Sequence, residues 1–144
     1  MTELEAVLDQ LETKGHRVTP SRVAVVAAVL SNRGNFTPED LLRQTRGVGR
    51  ATVFRTLRLL LDADVICRIM LEDTTVRYRV TSRHGHHHHL LCLACGRVMD
   101  FTDCADDLMR QLASRTQYAI DGHWLEVYGR CPGCATGRHA GRPL

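Results

Sequence analysis

The chain lacks any apolar run approaching the roughly 20 residues needed to cross a bilayer. It also lacks the basic-then-apolar opening of an export signal, because Met1 to Gln10 is acidic and helical in pattern. These absences predict a cytoplasmic protein with no membrane partner. In that reducing compartment the six cysteines, Cys67, Cys92, Cys95, Cys104, Cys131 and Cys134, read as metal ligands before disulfides. Acidic residues are scarce over one stretch. Between Lys14 and Arg58 nine Lys and Arg face only Glu39 and Asp40, a net +7, whereas from Leu61 onward ten Arg balance ten Asp and Glu. A basic first half joined to a neutral second half is the charge footprint of a nucleic-acid reader attached to something else. There is no internal repeat, and the one low-complexity piece is His86 to His89, too deep in the chain to be a tag.

Helix starts are legible from caps. Leu4, Val7, Leu8 and Leu11 recur at helical spacing from Thr2 to Lys14, and Gly15 ends the run. Thr19-Pro20 and Thr37-Pro38 each pair an N-cap with a proline in the first turn, where its missing N–H costs nothing. The first opens a helix to about Ser31 with Val23, Val26, Ala27 and Leu30 inward, and the second is broken by Gly47 and Gly49. A fourth helix is expected from Arg50 to about Ala63 on a stripe of Val53, Leu57, Leu60 and Leu61. Strands at 65–71 and 76–80 complete a winged helix-turn-helix. The polar piece Ser82 to Gly85 reads as a hinge. Beyond it, strands are expected at 88–92, 97–101, 118–120 and 124–128, with a helix capped by Asp103 and carrying Leu108, Met109 and Leu112. The predicted class is α+β: a winged-helix DNA-binding domain over 1–82, a small α/β metal-binding dimerisation domain over 83–135, and a disordered tail over 136–144.

Cys92-Leu-Ala-Cys95 and Cys131-Pro-Gly-Cys134 carry the strongest chemical signal. Each Cys-x-x-Cys supplies two thiolates with the right bite, and four close a structural zinc tetrahedron. A redox role for Cys131 and Cys134 lacks the surrounding βαβ pattern, and Cys104, outside both pairs, reads as a small apolar residue. In a strand, His86 and His88 project to one side and His87 and His89 to the other, so each pair can be half of a separate metal site. Cys67, in the wing, is either a buried apolar cysteine or a softer ligand reaching across the hinge. Arg50, Arg55 and Arg58 lie on the fourth helix away from its apolar stripe, with Thr52 and Phe54 placed to meet thymine methyls.

At these residues the sequence resembles the Fur family of metal-responsive repressors. The match runs through Gly15-His-Arg17-Val-Thr19-Pro-Ser-Arg22, Thr37-Pro-Glu-Asp-Leu41 and Arg50-Ala-Thr-Val-Phe-Arg55-Thr-Leu57. It continues through His86-His-His-His-Leu-Leu-Cys92-Leu-Ala-Cys95-Gly96 and closes on Cys131-Pro-Gly-Cys134. The resemblance implies a homodimer that binds an AT-rich inverted repeat in double-stranded DNA when loaded with metal and represses metal-homeostasis genes. It implies structural Zn2+ on Cys92, Cys95, Cys131 and Cys134, a regulatory site including His87 and His89, and a second site of His86, His88, Asp107 and His123. Arg17 and Arg22 lie in its first matched motif, Arg17 at the position of a minor-groove residue, and Phe54-Arg55 match the aromatic-Arg pair of the recognition helix, with Phe where Tyr is common. Iron-type members have a His where Asn35 stands and a Glu where Arg79 stands. With Cys67 added to His87 and His89, and His84 a candidate fourth ligand, the regulatory divalent metal is expected to be Zn2+ rather than Fe2+. Manganese, nickel or peroxide sensing are the alternatives within the family. A zinc-ribbon adaptor is a further one, and a zinc deaminase is disfavoured because His-x-Glu is missing ahead of the Pro-Cys-x-x-Cys element. No enzymatic turnover and no small organic substrate are expected.

Overall fold

The computed structural model describes residues 1–71, 74–81 and 86–138, and the chain divides into two units, 1–84 and 85–144. In the first unit, α1 (Glu3–Thr13) starts on a capping box in which Thr2 and Glu5 satisfy one another's backbone N–H groups. It stops at Gly15, whose φ of 84° lets the chain turn while His16 N–H donates to the Leu11 carbonyl at 2.9 Å. The Thr19 and Thr37 side chains cap α2 (Pro20–Ser31) and α3 (Pro38–Gln44), and Asp40 closes a second capping box on Thr37. Helix α4 (Arg50–Asp62) follows from the Gly49 backbone with no side-chain cap. Its C-terminal carbonyls are taken by α1: Gln10 Nε2 donates to the Ala63 carbonyl (2.8 Å) and Lys14 Nζ to that of Asp62 (3.0 Å).

The four helices enclose Leu11, Val25, Val26, Val29, Leu41, Val53, Leu57 and Leu60, all essentially excluded from water. The stripe of α2 differs from expectation. Val25, Val26 and Val29 are buried, Val23 and Leu30 are half-buried and Ala27 is exposed. Helix α2 is apolar almost all round, so spacing alone does not choose its inner face. On α4, Thr56 is buried beside Val53, Leu57 and Leu60, its hydroxyl donating to the Thr52 carbonyl, while Leu61 is half-buried. The hairpin β1 (Ile66–Met70) and β2 (Val76–Val80) is antiparallel with Cys67 opposite Arg79. Phe36 clamps it to the α2–α3 segment by exchanging backbone hydrogen bonds with Tyr78 at 2.7 and 2.8 Å and stacking on its ring. Helices followed by this hairpin make the winged helix.

The second unit is a three-stranded sheet in the order β4-β3-β5, with β3 spanning His88–Cys92, β4 Val98–Phe101 and β5 Glu126–Gly129. Strand β4 is antiparallel to β3 (His88 opposite Phe101, His89 opposite Asp100), and β5 is parallel to β3 (His89 opposite Glu126). The crossover between β4 and β5 carries α5 (Asp106–Thr116), and α6 (Pro132–Ala135) ends the unit. Three expectations are corrected here. Asp103 does not cap α5: its N-cap is Ala105, with no side-chain hydrogen bond. Residues 118–120 form no strand, because Tyr118 and Ile120 are exposed and pair with no neighbour in the sheet. The chain from Thr136 to Arg138 stays hydrogen-bonded to the α6 turn, Arg138 N–H donating to the Gly133 carbonyl at 2.7 Å. The remainder of the expected tail, and the whole of the expected hinge with His84, lie outside the described residues.

Candidate metal centres and nucleic-acid interface

Strand β3 joins two clusters, one at each end. At its C-terminal end Cys92 and Cys95 flank a tight turn in which Gly96 N–H donates to the Cys92 carbonyl and Cys92 N–H to that of Arg97, both 2.9 Å. Gly96 adopts φ 73° to make that turn. Because β5 runs parallel beside β3, its exit delivers Cys131 and Cys134 to the same place. The four sulfurs lie within 4.8 Å of one another, with Cys95 and Cys131 at 3.8 Å. The Cys131 N–H donates to Cys92 Sγ (3.3 Å) and pulls that thiol down to about 6. Burial, reinforced by the neighbouring sulfurs, pushes Cys134 the other way. Thiolates form readily at Cys92 and Cys131, whereas burial first and then the neighbouring sulfurs oppose one at Cys134, a conflict that a divalent cation removes. The donor set is the closed all-sulfur type of structural zinc.

At the opposite end the same register brings histidines together. Extending the parallel β3–β5 pairing back three residues sets His86 beside His123. The Nε2 atoms of His86, His88 and His123 form a triangle with sides of 3.1, 3.2 and 3.2 Å. Burial first, then the surrounding imidazoles, lowers the pKa of His88, which keeps its ring in the neutral, metal-ligating form. Cys104 Sγ and a ring nitrogen of each of these histidines all lie within 4.8 Å of one another. Asp107, expected there, is elsewhere: its side chain is 86% exposed and ion-paired with Arg110. The reason is reach. Phe101 packs on the His88 ring, so Cys104 follows within one short loop, whereas Asp107 already sits on α5.

On the other side of β3, the His87 and His89 rings pack edge-on at 5.0 Å. His89 Nδ1 meets Glu126 Oε1 at 2.8 Å, its Nε2 lies 3.9 Å from Asp100 Oδ1, and all three side chains are buried. Sequence reasoning missed Asp100, Glu126 and Cys104. The signal for the first two was their place directly opposite His89 on both neighbouring strands, which becomes readable only once register is known. Two buried carboxylates around one imidazole favour a cation.

In the first unit, α4 turns Arg55, Arg58 and Phe54 outward, Phe54 being 40% exposed. Thr52 is half-buried beside them. The Arg50 guanidinium lies 5.0 Å over the Phe54 ring and 3.1 Å from Glu39 on α3, which fixes both side chains before any ligand arrives. Arg17 is exposed, and Arg22 is half-buried with its guanidinium donating to the Arg17 carbonyl. Arg22 therefore holds the backbone that presents Arg17. A helix with an apolar back and a cationic front, following a capped helix pair, is the arrangement that major-groove recognition helices share.

The model of the ferric uptake regulator family matches residues 13–128. The chain belongs to this family. It is 28% identical over 138 residues to the ferric uptake regulation protein of Campylobacter upsaliensis, covering 91% of this chain and 88% of that one. It is 30% identical over 138 residues to the peroxide operon regulator of Bacillus subtilis, covering 92% and 94%. Its fold matches that of a zinc uptake regulator complexed with zinc and DNA at a TM-score of 0.69 and 24% identity, over 96% of this chain and 99% of that one. Members are metal-responsive transcriptional regulators, and this chain is one of them. No helix among its described residues is long and apolar enough to cross a membrane.

Proposed function

We propose that the chain is a zinc-responsive repressor, a cytoplasmic homodimer that binds an AT-rich inverted repeat only when its regulatory site is loaded. Cys92, Cys95, Cys131 and Cys134 hold structural zinc. His87 and His89 hold the regulatory metal with Cys67 of the wing, and Asp100, buried beside His89, is the fourth donor. The choice of zinc rests on the first unit: Asn35 Oδ1 accepts from Arg77 at 3.1 Å, and Arg79 stands opposite Cys67. The positions where the resemblance implies a His and a Glu for iron thus hold an amide and a cation, leaving a thiol as the wing's donor. The wing belongs to residues 1–82 and the imidazoles to 83–135, so a ligand set drawn from both would restrict the hinge between them. Arg17, Arg50, Thr52, Phe54 and Arg55 then meet two half-sites at a fixed spacing, with less ordering left to do on binding. Dimerisation is supported by where apolar surface lies bare. Leu93, Met99, Leu108, Tyr118, Ile120, Trp124 and Val127 are all exposed, and α5 buries none of its residues within the single chain.

A second reading, ferrous iron at the same site, draws support from Asp100 and Glu126, two hard oxygen donors beside His89. One experiment decides both. Protein retaining its structural zinc is titrated with Zn2+ and with Fe2+, each with and without a duplex selected from a random pool by the loaded protein. The sensed metal must tighten when the duplex is present, by the same factor by which it tightens the duplex. Equal metal affinity with and without that duplex overturns the proposal. Arg55→Ala should weaken duplex binding by about 1–3 kcal/mol and leave metal affinity in the absence of DNA unchanged.

A further inference from the structure

Three imidazole nitrogens at 3.1–3.2 Å from one another cannot satisfy each other. Each ring offers one N–H or one lone pair at that corner, so at least one side of the triangle opposes two lone pairs or two protons. The arrangement suits a cation instead. Zn–N bonds of about 2.0–2.1 Å put neighbouring nitrogens of a tetrahedron about 3.3–3.4 Å apart, close to the triangle observed. What remains is the fourth corner. Asp107, with its carboxylate on Arg110 and in solvent, does not supply it, and Cys104 Sγ lies beside the three rings.

We propose that Cys104, through its thiolate, is the fourth ligand of a His86–His88–His123 site and makes that site selective for zinc over iron or manganese. The inference rests on the reading that this cluster binds metal, and it assigns a ligand and a selectivity to it. The thiol now donates to the Thr102 carbonyl at 3.5 Å. On coordination the S–H bond breaks, its electron pair forms the S–metal bond, and the proton passes to solvent, so one proton is released per metal bound. A thiolate in place of a carboxylate makes the donor set softer, which favours zinc and disfavours Mn2+ and Fe2+. The site also differs from the four-cysteine cluster, because three neutral donors and one thiolate leave a bound divalent ion with net charge +1. It lies at the opposite end of β3, in a loop that closes only when β4, α5 and β5 are in place.

The test uses cobalt as a visible stand-in for zinc, in full-length protein carrying Cys67→Ser so that the wing thiol is absent. Zinc is assayed after the titration and must stay at one per chain, so that no cobalt has entered the four-cysteine site. Cobalt should then raise the intense near-ultraviolet sulfur-to-cobalt charge-transfer band. Adding Cys104→Ser should abolish that band, and adding Asp107→Asn should leave it unchanged. Cys104→Asp should restore tetrahedral visible bands without the charge-transfer band, showing that the site still folds. Visible cobalt bands with no charge-transfer band in the Cys67→Ser protein, or a band that survives Cys104→Ser, would overturn the ligand assignment while leaving the metal site standing. Failure to bind any cobalt beyond the retained zinc would overturn the metal-site reading along with it.

Discussion

Among the described residues, fifteen of the seventeen buried apolar side chains belong to the first unit and only Leu91 and Cys92 to the second. The first unit closes around leucines and valines from four helices, and its polar interior is confined to locally bonded groups such as Thr45 and Thr56. In the second, the buried side chains beside Leu91 are His88, His89, Asp100, Glu126 and a cysteine. Aqueous burial drives the one, while the other gathers ligands that repel or orphan each other until something positive sits among them. The difference separates two tasks. A reader helix needs a rigid support that does not depend on the signal, whereas a sensor needs a fold whose stability is itself a function of metal.

The comparison breaks most visibly if the metal is taken away. Chelation, or Cys92→Ser with Cys95→Ser, removes a contribution of about 10–16 kcal/mol for a structural zinc at neutral pH. The fluorescence of Trp124, the chain's one tryptophan and a residue of the second unit, should shift to its unfolded value, while most far-ultraviolet helical signal persists from α1 to α4. Simultaneous loss of both signals would mean that the first core does not stand alone. The reverse experiment is Leu57→Ala, which opens a cavity in the first core at a cost of about 2–5 kcal/mol. Urea should then unfold the helices earlier, with zinc per chain unchanged in the folded protein. A smaller effect sharpens the contrast in acid. The Thr37 backbone N–H holds the Asp40 carboxyl below its ordinary value. A depressed folded pKa means that its stabilisation is complete above the unfolded value and is lost as pH falls through the folded one. Thr37→Ala should cost the first unit about 1 kcal/mol, and Asp40→Asn should flatten the acid limb of its stability curve, both read from urea midpoints against pH.

Much of this was legible in the residues. Caps wrote themselves into the sequence as Thr-Pro pairs because a cap is a local hydrogen bond, and two of the four first helices begin after the expected threonine. The knuckle pairs were equally local. What failed was whatever depended on choosing a face or a neighbour. Helix α2 is apolar on several sides, so its spacing could not say that Val25 and Val29 turn inward and Ala27 outward. Residues 118–120 carry strand-like side chains but have no strand beside them in the sheet.

The α+β class, the winged helix, the cationic helix front, the two thiol pairs and the histidine run were all readable along the chain, because each follows from periodicity, capping or spacing within a few residues. Which groups share a site depends instead on strand pairing across the sheet. Parallel register between β3 and β5 places His86 beside His123 and His89 beside Glu126, and antiparallel register with β4 adds Asp100 and brings Cys104 within reach. Those partners lie up to 37 residues apart in the chain. Pairing at that range is set by the sheet as a whole, and no local pattern encodes it.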